Sequence, residues 1–112
     1  MRLISLNIGI KIDNSEKIGK FIKSQKPDIV AFQEIVRHFD ESVFEMYKSK
    51  AHIEKIIGKM LPYSFFGPQF ITDALRKNGK IHRDFNGFIE QGNEILSKFP
   101  IVSAVNEHYY KN

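Results

Sequence analysis

An α/β fold is what this sequence predicts, and three observations carry the prediction. These are a strand-like alternation over residues 2–8, an amphipathic stretch that must end before Pro27, and an unbroken apolar run over residues 29–32. Strand, helix and strand within about 35 residues make a βαβ unit, the connection that joins nearby parallel strands. A chain of 112 residues suits one domain, and 42% hydrophobic residues, ten of them Phe, supply the apolar surface that a packed core requires.

Each element follows from its local pattern. In the segment RLISLNI, Leu3, Ser5 and Asn7 alternate with Ile4, Leu6 and Ile8, which is the period of a strand with two unlike faces. Asn7 falls near its C-terminal end. After a turn through residues 9–13, Asn14 or Ser15 can cap a helix whose expected buried stripe is Ile18, Phe21 and Ile22. Residues 29–32 then read as a buried strand that exits at Gln33 and Glu34. Residues 40–61 have closer to helical than strand period and predict one or two helices capped near Asp40. Pro62 ends them. Residues 63–70 are rich in aromatics and predict a strand, in which Phe65, Phe66 and Phe70 could stack on bases but, at strand spacing, are expected to be core residues. The polar, basic stretch 72–84 predicts a loop, and three short strands are expected over residues 86–90, 93–99 and 101–108, joined at Gln91-Gly92 and at Pro100.

Composition excludes several function classes. With no cysteine there is neither a disulfide framework nor a thiolate zinc site, which suits a reducing, cytoplasmic setting. Asn7 interrupts the apolar N-terminus and no cleavage pattern follows, so a strand is expected there rather than a signal peptide. No apolar stretch approaches the roughly 20 residues needed to span a bilayer. A net charge of +4 suits a polyanionic partner, although a modest positive excess also serves solubility. Arg76, Lys77, Lys80, His82 and Arg83 form a basic run, read here as a solvated loop; His38, His52 and His82 have no metal-ligand spacing.

Glu34 is the most informative residue. A carboxylate that follows directly on a buried strand sits on a rigid element at the edge of the sheet where ligands bind in α/β folds. Magnesium wants oxygen ligands, keeps several waters, and takes only one or two carboxylates from a protein. Glu34 alone would equally serve as a solvated strand end. Asn7 lies at the equivalent exit of the neighbouring strand, where its amide can orient Glu34 or a phosphate oxygen; the plainer role is that of a turn-forming Asn before Gly9.

Three segments in order, LISLNI, KPDIVAFQEI and GNEILSKFPI, resemble the endonuclease/exonuclease/phosphatase superfamily, with KPDIVAFQEI the most specific of them. The resemblance implies a DNase I-like fold: the N-terminal half of a four-layer α/β sandwich, a mixed sheet with flanking helices, over residues 1–112. It implies Glu34 as metal ligand, Asn7 as a catalytic-site residue, and Gly92 and Asn93 at the start of the strand bordering the active-site groove. It also implies Mg2+ as cofactor, with Mn2+ as an alternative, and hydrolysis of a phosphoester by a nuclease, phosphodiesterase or phosphatase. Many nuclease members carry Asp two residues after the first-strand Asn, where this chain has Gly9. The family's Asp-x-Asn and terminal Asp-His segments have no counterpart here, so the expectation is a fragment with an incomplete catalytic set. The substrate expected is a phosphoester, nucleic acid being favoured by the basic balance, and the open half-sandwich is expected to pair with a second copy or with a complementing C-terminal half. The alternative is a non-catalytic binding or subunit protein that retains half of the sandwich.

Overall fold

The computed structural model describes residues 1–9, 14–38, 48–72, 75–77, 80–82 and 89–107. Its elements are β1 (Leu3–Asn7), α1 (Ser15–Gln25), β2 (Ile29–His38), α2 (Ser49–Ile57), β3 (Tyr63–Thr72), β4 (Leu75–Lys77), β5 (Lys80–His82) and β6 (Ile89–Ser97). The expected helix cap at Asp40, the part of the expected helix over 40–47, Arg83, residues 86–88 of one expected strand and His108 of another lie outside the described residues.

β1 and β2 pair in parallel from Leu3↔Ile29 to Asn7↔Gln33, which is the expected βαβ unit. β6 then inserts antiparallel between β2 and β3, so the order β1-β2-β6-β3 makes a mixed four-stranded sheet. Ile22 of α1 and Ile53 and Ile57 of α2 share one buried cluster with Val30, Phe32, Ile35, Leu61 and Leu96. Both helices therefore cover the same face of the sheet, and the fold is α/β as the sequence predicts.

The face away from the helices is open and graded. Its lowest rung is Leu3, Ile29, Ser97 and Tyr63, its second is Ser5, Ala31, Ile95 and Phe65, and its third is Asn7, Gln33 with Glu34, Asn93 and Gly67. Leu3 is 62% exposed, Ile95 46% and Tyr63 43%, so apolar surface stands in water on the lower rungs while amides and a carboxylate occupy the upper one.

Several elements differ from the sequence reading, each for a physical reason. Phe21 is exposed; the buried stripe of α1 is Ser15, Gly19 and Ile22. Gly19 lets α2 approach so closely that a Cβ there would collide with the Ile56 side chain, and this contact rotates the helix away from Phe21. β2 does not exit at Glu34 but bulges there and continues to His38. Gly92 is no turn: β6 runs through it because its missing side chain leaves room for the Gly67 carbonyl of β3. Residues 101–107 form no strand, and the loop expected over 72–84 contains an antiparallel pair, β4 with β5.

β6 is matched by a longer neighbour on each side at the same height. Gln33 and Glu34 of β2 both face Asn93, because Phe32 pairs with Glu94 and Ile35 with Gly92. On the other flank Pro68 pairs with Gly92 and Phe70 with Gln91, which leaves Gln69 of β3 as the extra residue. Bulges of this kind re-aim a side chain and sharpen the twist of the strand that carries them.

Beneath the helices lies a buried charge cluster. The Glu94 carboxylate is fully buried, with Lys50 Nζ 3.3 Å from Oε2 and Lys50 in turn 2.7 Å from Glu54 Oε1. The Lys50 contact is within ion-pair reach, yet neither Glu94 oxygen meets hydrogen-bond geometry. A proton on Glu94 relieves this, since it turns one oxygen into a donor facing the Glu54 carboxylate. Burial first, and then the hydrogen bond and charge of Glu54, push Glu94 up to about 9 from an ordinary 4.5. Burial also opposes the charge on Glu54, but hydrogen bonds with Glu94 and Lys50 outweigh it and hold Glu54 below its ordinary value.

Between pH 4.5 and about 9 the folded chain thus keeps a proton on Glu94 that the unfolded chain releases. Stability from this group is greatest below 4.5 and is lost as pH rises through about 9. The urea midpoint of the purified chain should fall steadily from pH 5.5 to 9, and Glu94→Gln, which is neutral at every pH, should flatten that slope. An unchanged slope in Glu94→Gln would assign the pH dependence to other groups.

Candidate functional site

The upper rung of the open face gathers the two residues singled out by the sequence. Asn7 pairs with Gln33, so Glu34 stands one residue further along β2 and one strand spacing, about 4.8 Å, to the side. The Ile8 N–H donates to the Gln33 carbonyl at 3.1 Å and extends the pairing past Asn7. Asn7 and Glu34 are therefore neighbours on a rigid sheet, not on loops.

The hydrogen bonds fix which polar atoms remain available. Asn7 Oδ1 accepts the Gly9 N–H at 3.1 Å, which closes a small turn and leaves the side-chain NH2 of Asn7 to donate elsewhere. Gly9 has a φ of +76°, so a side chain at this position would be strained even though the space around it is open. Gln33 uses its NH2 on Ser5 Oγ at 3.1 Å and on the Ala31 carbonyl at 3.3 Å, which turns its own carbonyl oxygen outward from those contacts. Asn93, directly opposite the bulge, is exposed.

Glu34 itself has a φ of +59°, the left-handed conformation that residues with a Cβ avoid at a cost of about 1–2 kcal/mol. Strain of this sort persists only where the surroundings enforce it, and here the two-against-one match with Asn93 does so. The side chain is half-buried, and among the described residues none is hydrogen-bonded or ion-paired to its carboxylate. The rung thus offers one carboxylate with both oxygens available and, beside it, an amide that can donate. That donor set suits a hard cation that keeps most of its water, together with an anion bridging to it. Among the described residues there is no group of three or more His, Asp or Glu that would enclose a metal by itself.

The other sequence candidates lie apart from this rung. His52 is on α2, where its Nδ1 lies 3.3 Å from Ser15 Oγ in the contact between the helices. Phe66 packs against the core, and the Arg37 guanidinium stacks 4.7 Å from its ring centre while holding Glu90 at 2.8 Å. Gln33 was missed as more than a strand exit; its hydrogen bonds to Ser5 and Ala31 become visible only once the strands are paired. No helix among the described residues is long and apolar enough to cross a membrane.

Replacing Glu34 with Gly keeps the bulge and removes the strain. Glu34→Gly should raise the unfolding free energy by about 1 kcal/mol in urea titration, a stabilisation obtained by deleting a side chain. A decrease would mean that the carboxylate, and not the bulge register, holds the backbone in place.

No protein-family model matches the sequence, and no curated protein matches it. Among solved structures, the chain is similar to the crystal structure of an endonuclease/exonuclease/phosphatase from Beutenbergia cavernae DSM 12333, with a TM-score of 0.69 and 19% sequence identity. The likeness covers 93% of this chain and 27% of that one, so the chain spans about a quarter of the length of the protein it matches. At this identity the likeness establishes the fold: the sheet, its order and its helices are those of part of a DNase I-like domain.

Proposed function

From a DNase I-like sheet that carries a strained glutamate on its upper rung, we propose that the chain supplies one half of a metal-dependent phosphoester hydrolase site. Glu34 is the metal ligand in this reading, with Mg2+ as the cation and Mn2+ as an alternative. The observation that carries it is the left-handed backbone of Glu34 on the bulge, with its carboxylate free of described partners. A structural role does not require a Cβ at φ +59°, whereas a ligand role requires this side chain.

The residues divide the work. Glu34 is the residue that would hold the cation, through its carboxylate. When bound, Mg2+ would polarise the phosphoryl group and neutralise charge that develops on the leaving oxygen. Asn7 donates its NH2 to a phosphate oxygen, and the Gly9 N–H keeps that amide in the donating orientation. The carbonyl oxygen of Gln33 is set by two hydrogen bonds from its own NH2 and is an acceptor beside Glu34 that would support a bound cation's surroundings. A base to activate the attacking water and a group to protonate the leaving oxygen are both missing from this rung, so residues beyond it must supply them.

A second reading, a non-catalytic subunit that pairs with another polypeptide, is favoured by one observation. Leu3, Tyr63 and Ile95 expose apolar surface on the open face, where a complementing C-terminal half or a second copy would cover it. The two readings are compatible, since a complementing half is also where the activating residues would reside. Nucleic acid is the favoured substrate on charge alone, with a net charge of +4.

Magnesium binding to the purified chain, followed by calorimetry, should weaken at least tenfold in Glu34→Gln; unchanged affinity would remove the proposal. The chain by itself should turn over a phosphodiester at little above the background rate in the presence of Mg2+. Robust cleavage that is lost in Glu34→Gln would retain the metal site and overturn the incompleteness.

A further inference from the structure

Both helices cover one face of the sheet, so their outward sides form a second surface. It lies opposite the open face, and a partner covering the open face would leave it bare. Ser15 of α1 meets His52 of α2, and Gly19 meets Ile56, so the contact advances four residues on each helix and the two run side by side in the same direction. The outward stripe of α1 is Lys17, Lys20, Phe21 and Ser24, at i, i+3, i+4 and i+7, and all four are exposed. Lys23 is exposed as well, and α2 adds Ala51 and Lys55, with Lys59 just past its end.

The charge on this surface is of one sign. Glu16 is held by Lys20 at 2.9 Å, and Glu54 of α2 is turned to Lys50. Among the described residues none is ion-paired to Lys17, Lys23, Lys55 or Lys59. Two features of α1 are also unfavourable in plain water. Lys17 stands in the first turn, where a cation opposes the positive end of the helix dipole; the dipole accounts for Lys23 and Lys55, each in a last turn, but not for Lys17. Phe21 is 51% exposed, an aromatic ring beside the lysines rather than in the core. A partner that brings anions and an apolar medium to the same plane relieves both.

We propose that the outer face of α1 and α2 docks on an anionic lipid bilayer, with the lysines among the acidic headgroups and Phe21 at the boundary between headgroups and acyl chains. Lysine stems follow the ring inward while their ammonium groups stay at headgroup level. The five lysines, Lys17, Lys20, Lys23, Lys55 and Lys59, fall in the range of about four to eight cations that marks helical faces drawn to acidic lipids. A nucleic-acid backbone would satisfy the lysines as well, but it offers Phe21 no apolar medium, and this decides for the bilayer. The contact is peripheral, since no helix among the described residues is long and apolar enough to cross a membrane. It turns the open face and Glu34 away from the lipid and is independent of the metal-site reading.

The test is co-sedimentation of the full chain with vesicles of phosphatidylcholine alone and of phosphatidylcholine with one third phosphatidylserine. The chain should partition at least tenfold more strongly onto the acidic vesicles at low salt, and concentrated sodium chloride should remove most of that gain. Lys17→Gln, Lys20→Gln and Lys23→Gln together should lower partitioning onto the acidic vesicles at least tenfold; Gln has nearly the helix propensity of Lys, so the change is one of charge. Arg76→Gln, Lys77→Gln and Lys80→Gln together remove the same charge elsewhere and should lower it less than threefold. Phe21→Ser should weaken it at least threefold. Equal partitioning onto the two kinds of vesicle, equal losses in the two triple variants, or no effect of Phe21→Ser would each overturn the proposal. Tighter binding to duplex DNA than to acidic vesicles of equal charge, through the same three lysines, would overturn it in favour of a nucleic-acid surface.

Discussion

The two-against-one match of Gln33 and Glu34 with Asn93 is the constraint on which the rest of this structure turns. Below it, β2 alternates in step with β6, and Val30 and Phe32 point into the helices' core. Above it, the alternation is displaced by one, so Ile35 returns to the core although it is an odd number of residues from Phe32. Without the extra residue, continued alternation would set Glu34 on the helix-covered face and turn Ile35 to the open one. The bulge is thus what allows an apolar strand to carry a carboxylate in its middle and still pack on both sides of it.

The two faces of the sheet solve different electrostatic problems. On the covered face, Glu94 is fully buried and is matched with Lys50, Glu54 and the rings of Phe32 and Phe66 nearby. A carboxylate placed there is accommodated by shedding its charge, since a cation and a proton together neutralise two acids. On the open face, Glu34 is half in water and meets no described partner. One sheet therefore holds two glutamates of opposite character, and burial is what separates them.

Much of the framework was legible in the sequence. The alternation of residues 3–7 and the apolar run after Pro27 depend on nearest neighbours, and β1, α1 and the first half of β2 follow from them. Asn7 and Glu34 were also readable, because each follows an apolar stretch closely enough for the strand to fix its height. What the sequence did not reveal depends on contacts between distant residues. Gly92 looks like a turn until the Gly67 carbonyl fills the space above it, and Phe21 looks buried until Gly19 admits Ile56. The register of β6 against β2 and β3 decides that Gln33, Asn93 and Gln69 stand near Glu34, and no local pattern encodes that register. The pairing of β4 with β5 was not foreseen, because the basic, polar composition of residues 72–84 reads as a loop.

The paired bulges have a further consequence that is one of counting. β2 and β3 each have one residue more than β6 over the same height, so β6 is the short inner rail of a curved track. A single residue added to β6 beside Gly92 would supply a partner to both surplus residues at once, and the curve would relax on its two sides together. The shape of this sheet edge is therefore stored in the length of one strand, and a change of length in β6 would reach Glu34 and Gln69 simultaneously without altering either.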